Sequence, residues 1–118
     1  MRYLLSIYTD ESGFGEATPE DLAKMRTAYM AFTDEIEAAG VLRGGDGLQP
    51  SSTATTVRVR DGEALVSDGP FTETKEAVGG FYLFDVDSVG EAAELAAQIP
   101  AAAHGAIELR AAAQGEAA

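Results

Sequence analysis

Gly79-Gly80-Phe81-Tyr82-Leu83-Phe84-Asp85-Val86 is the stretch on which the fold of this chain turns. Aromatic and branched residues following two glycines read as a β-strand. Side chains alternate across a strand, so Phe81 and Leu83 face one way while Tyr82, Phe84 and Val86 face the other. Both faces are therefore apolar. The opening run Arg2-Tyr3-Leu4-Leu5-Ser6-Ile7-Tyr8 repeats the pattern, with Tyr3, Leu5 and Ile7 opposing Leu4, Ser6 and Tyr8. Strands of this kind belong to a sheet that is covered on two sides.

The segments between these strands supply one cover. In Thr18-Pro19-Glu20-Asp21 the threonine caps a helix, the proline suits its first turn and the acids suit its positive end. Leu22, Met25, Tyr29, Phe32, Ile36 and Ala39 then recur every three or four residues, which predicts a helix over 19–39 with Gly40 as its stop. Val41-Leu42-Arg43 reads as a short strand, and 44–52 as a glycine-rich loop whose Gly44–Gly47 part is a flexible turn. Thr55–Arg60 and Glu63–Ser67 are strands joined at Asp61-Gly62, a hairpin signal. Residues 72–78 read as a polar excursion with room for one helical turn. Ser88 and Glu91 open a second helix, with Ala92, Leu95, Ala96 and Ile99 on its buried face and Pro100 at its end. His104–Arg110 is the last strand.

The order predicts an α+β chain: a ferredoxin-like βαββαβ antiparallel sheet with an added hairpin and two helices on one face. One domain is expected over 1–110, with a flexible tail over 111–118. Two helices cover only one face of the sheet. The other predicts a homodimer whose sheets pack face to face around a cleft, since large apolar patches on soluble chains mark interfaces. The competing cover is the chain's own segments 44–53 and 68–78.

Composition limits the function. The 118 residues include no cysteine, one histidine, 8 basic and 20 acidic side chains, for a net charge of −12. Without cysteine there are no disulfides, thiolate nucleophiles or cysteine-based metal sites, and one histidine makes a zinc centre improbable. The acidic balance argues against direct nucleic-acid binding and against anionic membrane surfaces. No stretch approaches the ~20 apolar residues of a membrane span, and no secretory leader is visible. The expected setting is the cytoplasm, with no cofactor and no metal.

His104 is the only side chain whose ordinary pKa lies near neutrality. Strand alternation over 104–110 groups it with Ala106, Glu108 and Arg110 on the face a dimer would cover. There it is either an acid–base group or a strand-start histidine bonded to a carbonyl. Asp68-Gly69-Pro70-Phe71 is a rigid bend, because proline fixes φ and restricts the residue before it. It holds Asp68 and Phe71 in set directions, Asp68 serving either as a backbone cap or as a carboxylate that orients His104 or a substrate. Arg58 and Arg110 are candidate anchors for an anionic or polarised oxygen. Glu73 and Lys75 are placed at the cleft mouth, and Tyr8 among the substrate contacts. A Gly-x-Ser-x-Gly elbow and a phosphate-binding Gly-Lys-Ser/Thr loop are both missing.

The run Asp68-Gly69-Pro70-Phe71-Thr72-Glu73-Thr74-Lys75-Glu76 resembles the DGPF-type branch of the YCII-related family. So do Tyr3–Tyr8, Thr18-Pro19-Glu20, Gly40-Val41-Leu42, Gly47-Leu48-Gln49-Pro50, Ala54–Arg58, Gly79–Tyr82, Ile99-Pro100 and His104–Arg110. The resemblance implies a ferredoxin-like fold paired as a dimeric α/β barrel. It implies a His/Asp pair, here His104 and Asp68, for cofactor-free isomerase- or lyase-like chemistry on a small molecule. The alternative it implies is a non-catalytic ligand-sensing or protein-interaction module associated with sigma-factor regulation of transcription.

Overall fold

A computed structural model describes residues 1–113, with the side chains of 13–15 excepted. Six strands and two helices follow one another: β1 (Arg2–Asp10), α1 (Pro19–Ala38), β2 (Leu42–Gly47), β3 (Thr55–Arg60), β4 (Glu63–Asp68), β5 (Glu76–Asp85), α2 (Val89–Ala96) and β6 (Ala106–Ala111). Four strands form an antiparallel sheet in the order β2-β5-β1-β6, the ferredoxin-like arrangement, and β3 and β4 form a separate hairpin.

The two long apolar strands are central. Leu4 pairs with Leu83 and Ser6 with Phe81 across β1 and β5. Tyr3, Leu5, Ile7, Tyr82, Phe84 and Val86 face the helices and are buried. Phe32 and Ile36 of α1 and Ala92 and Ala96 of α2 close over them. Phe32 meets Tyr82 edge to face, with ring centroids 5.4 Å apart.

Local chemistry sets the helix ends. Thr18 Oγ1 accepts from Asp21 N while the Asp21 carboxylate accepts from Thr18 N, a reciprocal box. At the other end Gly40 has φ +76°. Its N–H donates to Glu37 O and that of Val41 to Ile36 O, the paired bonds of a Schellman stop. Ser88 caps α2 by accepting from Glu91 N, and Glu91 in turn accepts from Asp87 N.

Four expectations need correction. Gly44–Gly47 is not a turn but the body of β2, laid along β5. Gly45 makes this possible: with φ +152°, any Cβ there would fall 2.7 Å from Phe81 O. Residues 72–75 form no helical turn, and Glu76–Val78 already belong to β5. The apolar stripe of α1 is buried only in its C-terminal half. Leu22 and Met25 are exposed, because the N-terminal half of this 20-residue helix overhangs the sheet. Finally, β6 begins at Ala106. Pro100 opens a 3-10 turn through Ala103, and His104 caps it with φ −123° and ψ −19°, so strand alternation does not set the direction of His104. Ala106, Glu108 and Arg110 do share the open face of the sheet. Ala111 still belongs to β6, and the rest of the expected tail lies from residue 114 onward outside the described residues.

The face away from the helices carries Leu4, Ser6, Tyr8, Phe81 and Leu83. None of these is buried, and Leu4 is 39% exposed. No helix of the structure is long and apolar enough to cross a membrane, among the described residues.

Candidate functional site

Two clefts flank the end of the sheet where β1 finishes and β5 starts. The larger, of about 1000 Å³, lies on the helix side, between the overhanging half of α1 and the glycine-rich edge formed by β2 and β5. Its floor is apolar and aromatic, with Ile7, Tyr29 and Tyr82 among the lining residues. Glycines at 44, 45, 47, 79 and 80 leave the cleft open where side chains would fill it.

His104 lines this larger cleft. The β1–β6 register runs from Tyr3↔Ala111 to Tyr8↔Ala106, and Gly105 and the turn that carries His104 lie just beyond its end. Gly105 permits the approach, because a Cβ there would fall 2.0 Å from Tyr8 O. Asp10 lines the same cleft. Its carboxyl is held below the ordinary carboxylate value by the Ser12 hydroxyl and then by the Ser12 amide, which donates at 2.9 Å, with a further contribution from the Lys75 charge. Sequence reasoning passed over Asp10, because its place on this cleft depends on the helix and on strands distant from it in sequence.

Tyr29 supplies the other ionisable wall group. Burial pushes its phenol above the ordinary value, partly offset by the Ala101 backbone, so it enters the cleft as a neutral hydroxyl. Tyr82 is fixed by a 3.1 Å hydrogen bond between its hydroxyl and Thr33 Oγ1. The arrangement combines a titratable histidine, an ionised carboxylate and a neutral phenol over an apolar floor, which suits proton transfer on a small organic molecule. No group of three or more His, Asp or Glu is arranged to hold a metal ion, among the described residues.

The smaller cleft, of about 670 Å³, opens on the other side of the sheet end. It brings together Tyr8, Phe71, Pro70 and Val78 with the base of the hairpin at Thr55 and Thr56. The Arg58 guanidinium stacks over Phe71 at 4.4 Å from the ring centroid, a cation–π contact. Thr56 Oγ1 donates to Gly69 O at 2.8 Å, and Gly69 N to Ala54 O at 2.7 Å, so the 68–71 corner is tied to the start of β3. Leu48 lines both clefts, and the Glu11 carboxylate, on the larger, accepts from the amide and hydroxyl of Ser51, on the smaller.

The residues expected to form one site are thus divided. Tyr8 and Phe71 line the smaller cleft, with Arg58 stacked over Phe71, and His104 lines the larger. Asp68 ends β4 opposite Thr55 and lines neither, so neither cleft brings it together with His104. Glu73 and Lys75 are exposed and line neither cleft, although the charge of Lys75 acts on Asp10. Arg110 lies on the open face, 3.7 Å from Glu108 and largely in solvent.

An uncharacterized protein of Rhizobium meliloti (strain 1021) is 38% identical over 96 residues, spanning 81% of this chain and 77% of the relative. The family model for the YCII-related domain matches residues 1–114, which is nearly the whole chain. On that match, this chain belongs to the YCII-related domain family.

Proposed function

We propose that this protein, of the DGPF branch, is a cytoplasmic homodimer that binds a small organic molecule in the larger cleft and acts on it by cofactor-free proton transfer of the isomerase or lyase kind. The observation that supports the reading is that His104, the chain's one histidine, and Asp10 line the same cleft. In this reading His104 takes and returns the proton. Asp10, rather than the Asp68 expected from the sequence, is the carboxylate that orients it. Tyr29 donates a hydrogen bond to the oxygen on which charge develops.

The homodimer is supported by the apolar open face of the sheet. The chain alone is also spread out, with a radius of gyration of 16.2 Å against about 13.5 Å for a closed domain of this length.

The test is a thermal-shift screen of small aromatic and carbonyl compounds, followed by turnover of each hit by product analysis. Hits should lose about tenfold or more in affinity or turnover in His104→Ala, and less in Asp10→Asn. Hits that bind and turn over equally well in both variants would sink the assignment. Binding without turnover would instead favour the ligand-sensing role.

A further inference from the structure

Glycine weakens a strand, and where one persists it marks a bulge, a sharp bend, or the close approach of another backbone or a ligand. β2 carries three, Gly44, Gly45 and Gly47, and the last pairs with a fourth, Gly80 of β5. The fold itself accounts for Gly45 and Gly80. Gly45 has φ +152° and no room for a Cβ, and a Cβ on Gly80 would fall 3.0 Å from Asp46 O. Gly47 is different. The irregularity of β2 lies between Leu42 and Gly44, so Gly47 is in no bulge. Its φ lies outside the left-handed region. A Cβ there would meet nothing within 4 Å. Of the reasons for a strand glycine, only the approach of a ligand remains.

The register says where the missing side chain would stand. Cross-strand partners share a face, and Gly45 pairs with Tyr82 as Gly47 does with Gly80. Tyr82 faces the helices, and a Cβ on Gly80 would lie 3.7 Å from Ile7 Cδ1 on that same side. Gly45, Gly47 and Gly80 therefore make a floor bare of side chains on the helix side of the sheet, and all three line the larger cleft. Tyr82, held by Thr33, borders this floor, and Tyr29 of α1 lines the cleft with it.

We propose that Gly47 is a specificity-determining residue of the larger cleft: its bare backbone, with Gly45 and Gly80, seats a flat, conjugated part of the ligand. The inference rests on the reading of that cleft as a small-molecule site and adds the shape the site selects. Dispersion falls steeply with any gap between surfaces. A planar framework of sp2 atoms rests on a bare floor with all of its ring atoms. The atoms of a puckered ring alternate above and below their mean plane and forfeit part of that contact. The tyrosine rings at the border add an attraction for a conjugated ring.

NMR titration of the full chain measures the affinity of two matched pairs of rings: 2-naphthol against decahydro-2-naphthol, and acetophenone against cyclohexyl methyl ketone. Wild type should bind the flat member of a pair at least tenfold more tightly, with shifts at the amides of Gly45, Gly47 and Gly80. Gly47→Ala and Gly47→Val should melt no lower than wild type, since both suit a strand better than glycine does. They should weaken binding of the flat member about threefold and at least tenfold. Flat rings that bind in this way without being turned over leave the floor standing and remove only the proton-transfer chemistry. Equal binding of flat and puckered rings, or flat-ring binding by Gly47→Val equal to that of wild type, overturns the floor and leaves the cleft a ligand site. A Gly47→Val that melts well below wild type also overturns it, because the glycine then serves the fold. Failure of all four compounds to bind wild type at millimolar concentration overturns the floor and the ligand site together.

Discussion

Gly105 shows how one missing atom can place a functional group. It lets the end of β1 pass within reach of the turn that carries His104, because a Cβ would collide with Tyr8 O at 2.0 Å. Gly105→Ala should cost at least about 2 kcal/mol, since the obstacle, Tyr8 O, is backbone rather than a mobile side chain. Urea unfolding reads the loss, and the His104 ring resonances should shift with it. Tyr29 makes a prediction about pH. Burial raises its pKa, so the fold favours the neutral phenol over the tyrosinate. Its contribution is complete below the ordinary phenol value of about 10 and is lost as the pH rises from there through the raised folded value. Tyr29→Phe should therefore flatten the fall in melting temperature above pH 10, and in wild type one tyrosinate absorbance step should come above the ordinary value.

At the scale of elements, α1 is specified locally at both ends. Removing the Thr18 side of the box in Thr18→Ala should cost about 1 kcal/mol in chemical denaturation. That loss should show first in the overhanging half of the helix, which has the least burial to hold it. The element order, both helix starts and the hairpin were legible in the sequence because each rests on neighbours: caps, stops, alternation and the Asp61-Gly62 turn, where Asp61 and Gly62 indeed adopt positive φ. What was not legible depends on partners distant in sequence. Gly44–Gly47 carries a loop's composition, and only β5 beside it makes it a strand. His104 was assigned a face by extending β6 two residues too far, when Pro100 and the 3-10 turn after it decide its direction. The sequence singled out His104, Tyr8 and Phe71 as candidates, but dividing them between two clefts required the fold of the sheet.

At the scale of the whole molecule, the chain measures 46 × 45 × 19 Å, a slab rather than a sphere. Both apolar faces of β1 and β5 were readable from alternation, and so was the conclusion that two helices cover only one. The projecting hairpin was not, since Thr55–Arg60 alternates like any half-buried strand and nothing local says that its partner sheet has only two members. One feature of the slab bears on time rather than shape. β1 lies between β5 and β6, so the earliest of these six strands to be synthesised pairs with none of the next three. Its first partner begins at Glu76 and its second at Ala106. At about 5–20 residues per second of synthesis, a strand apolar on both sides waits several seconds before any neighbour exists. Nascent chains arrested before β5 should therefore engage hold-type chaperones at β1 and release them once residue 111 has cleared the exit tunnel. The strand at the centre of the sheet is the first made and the last completed.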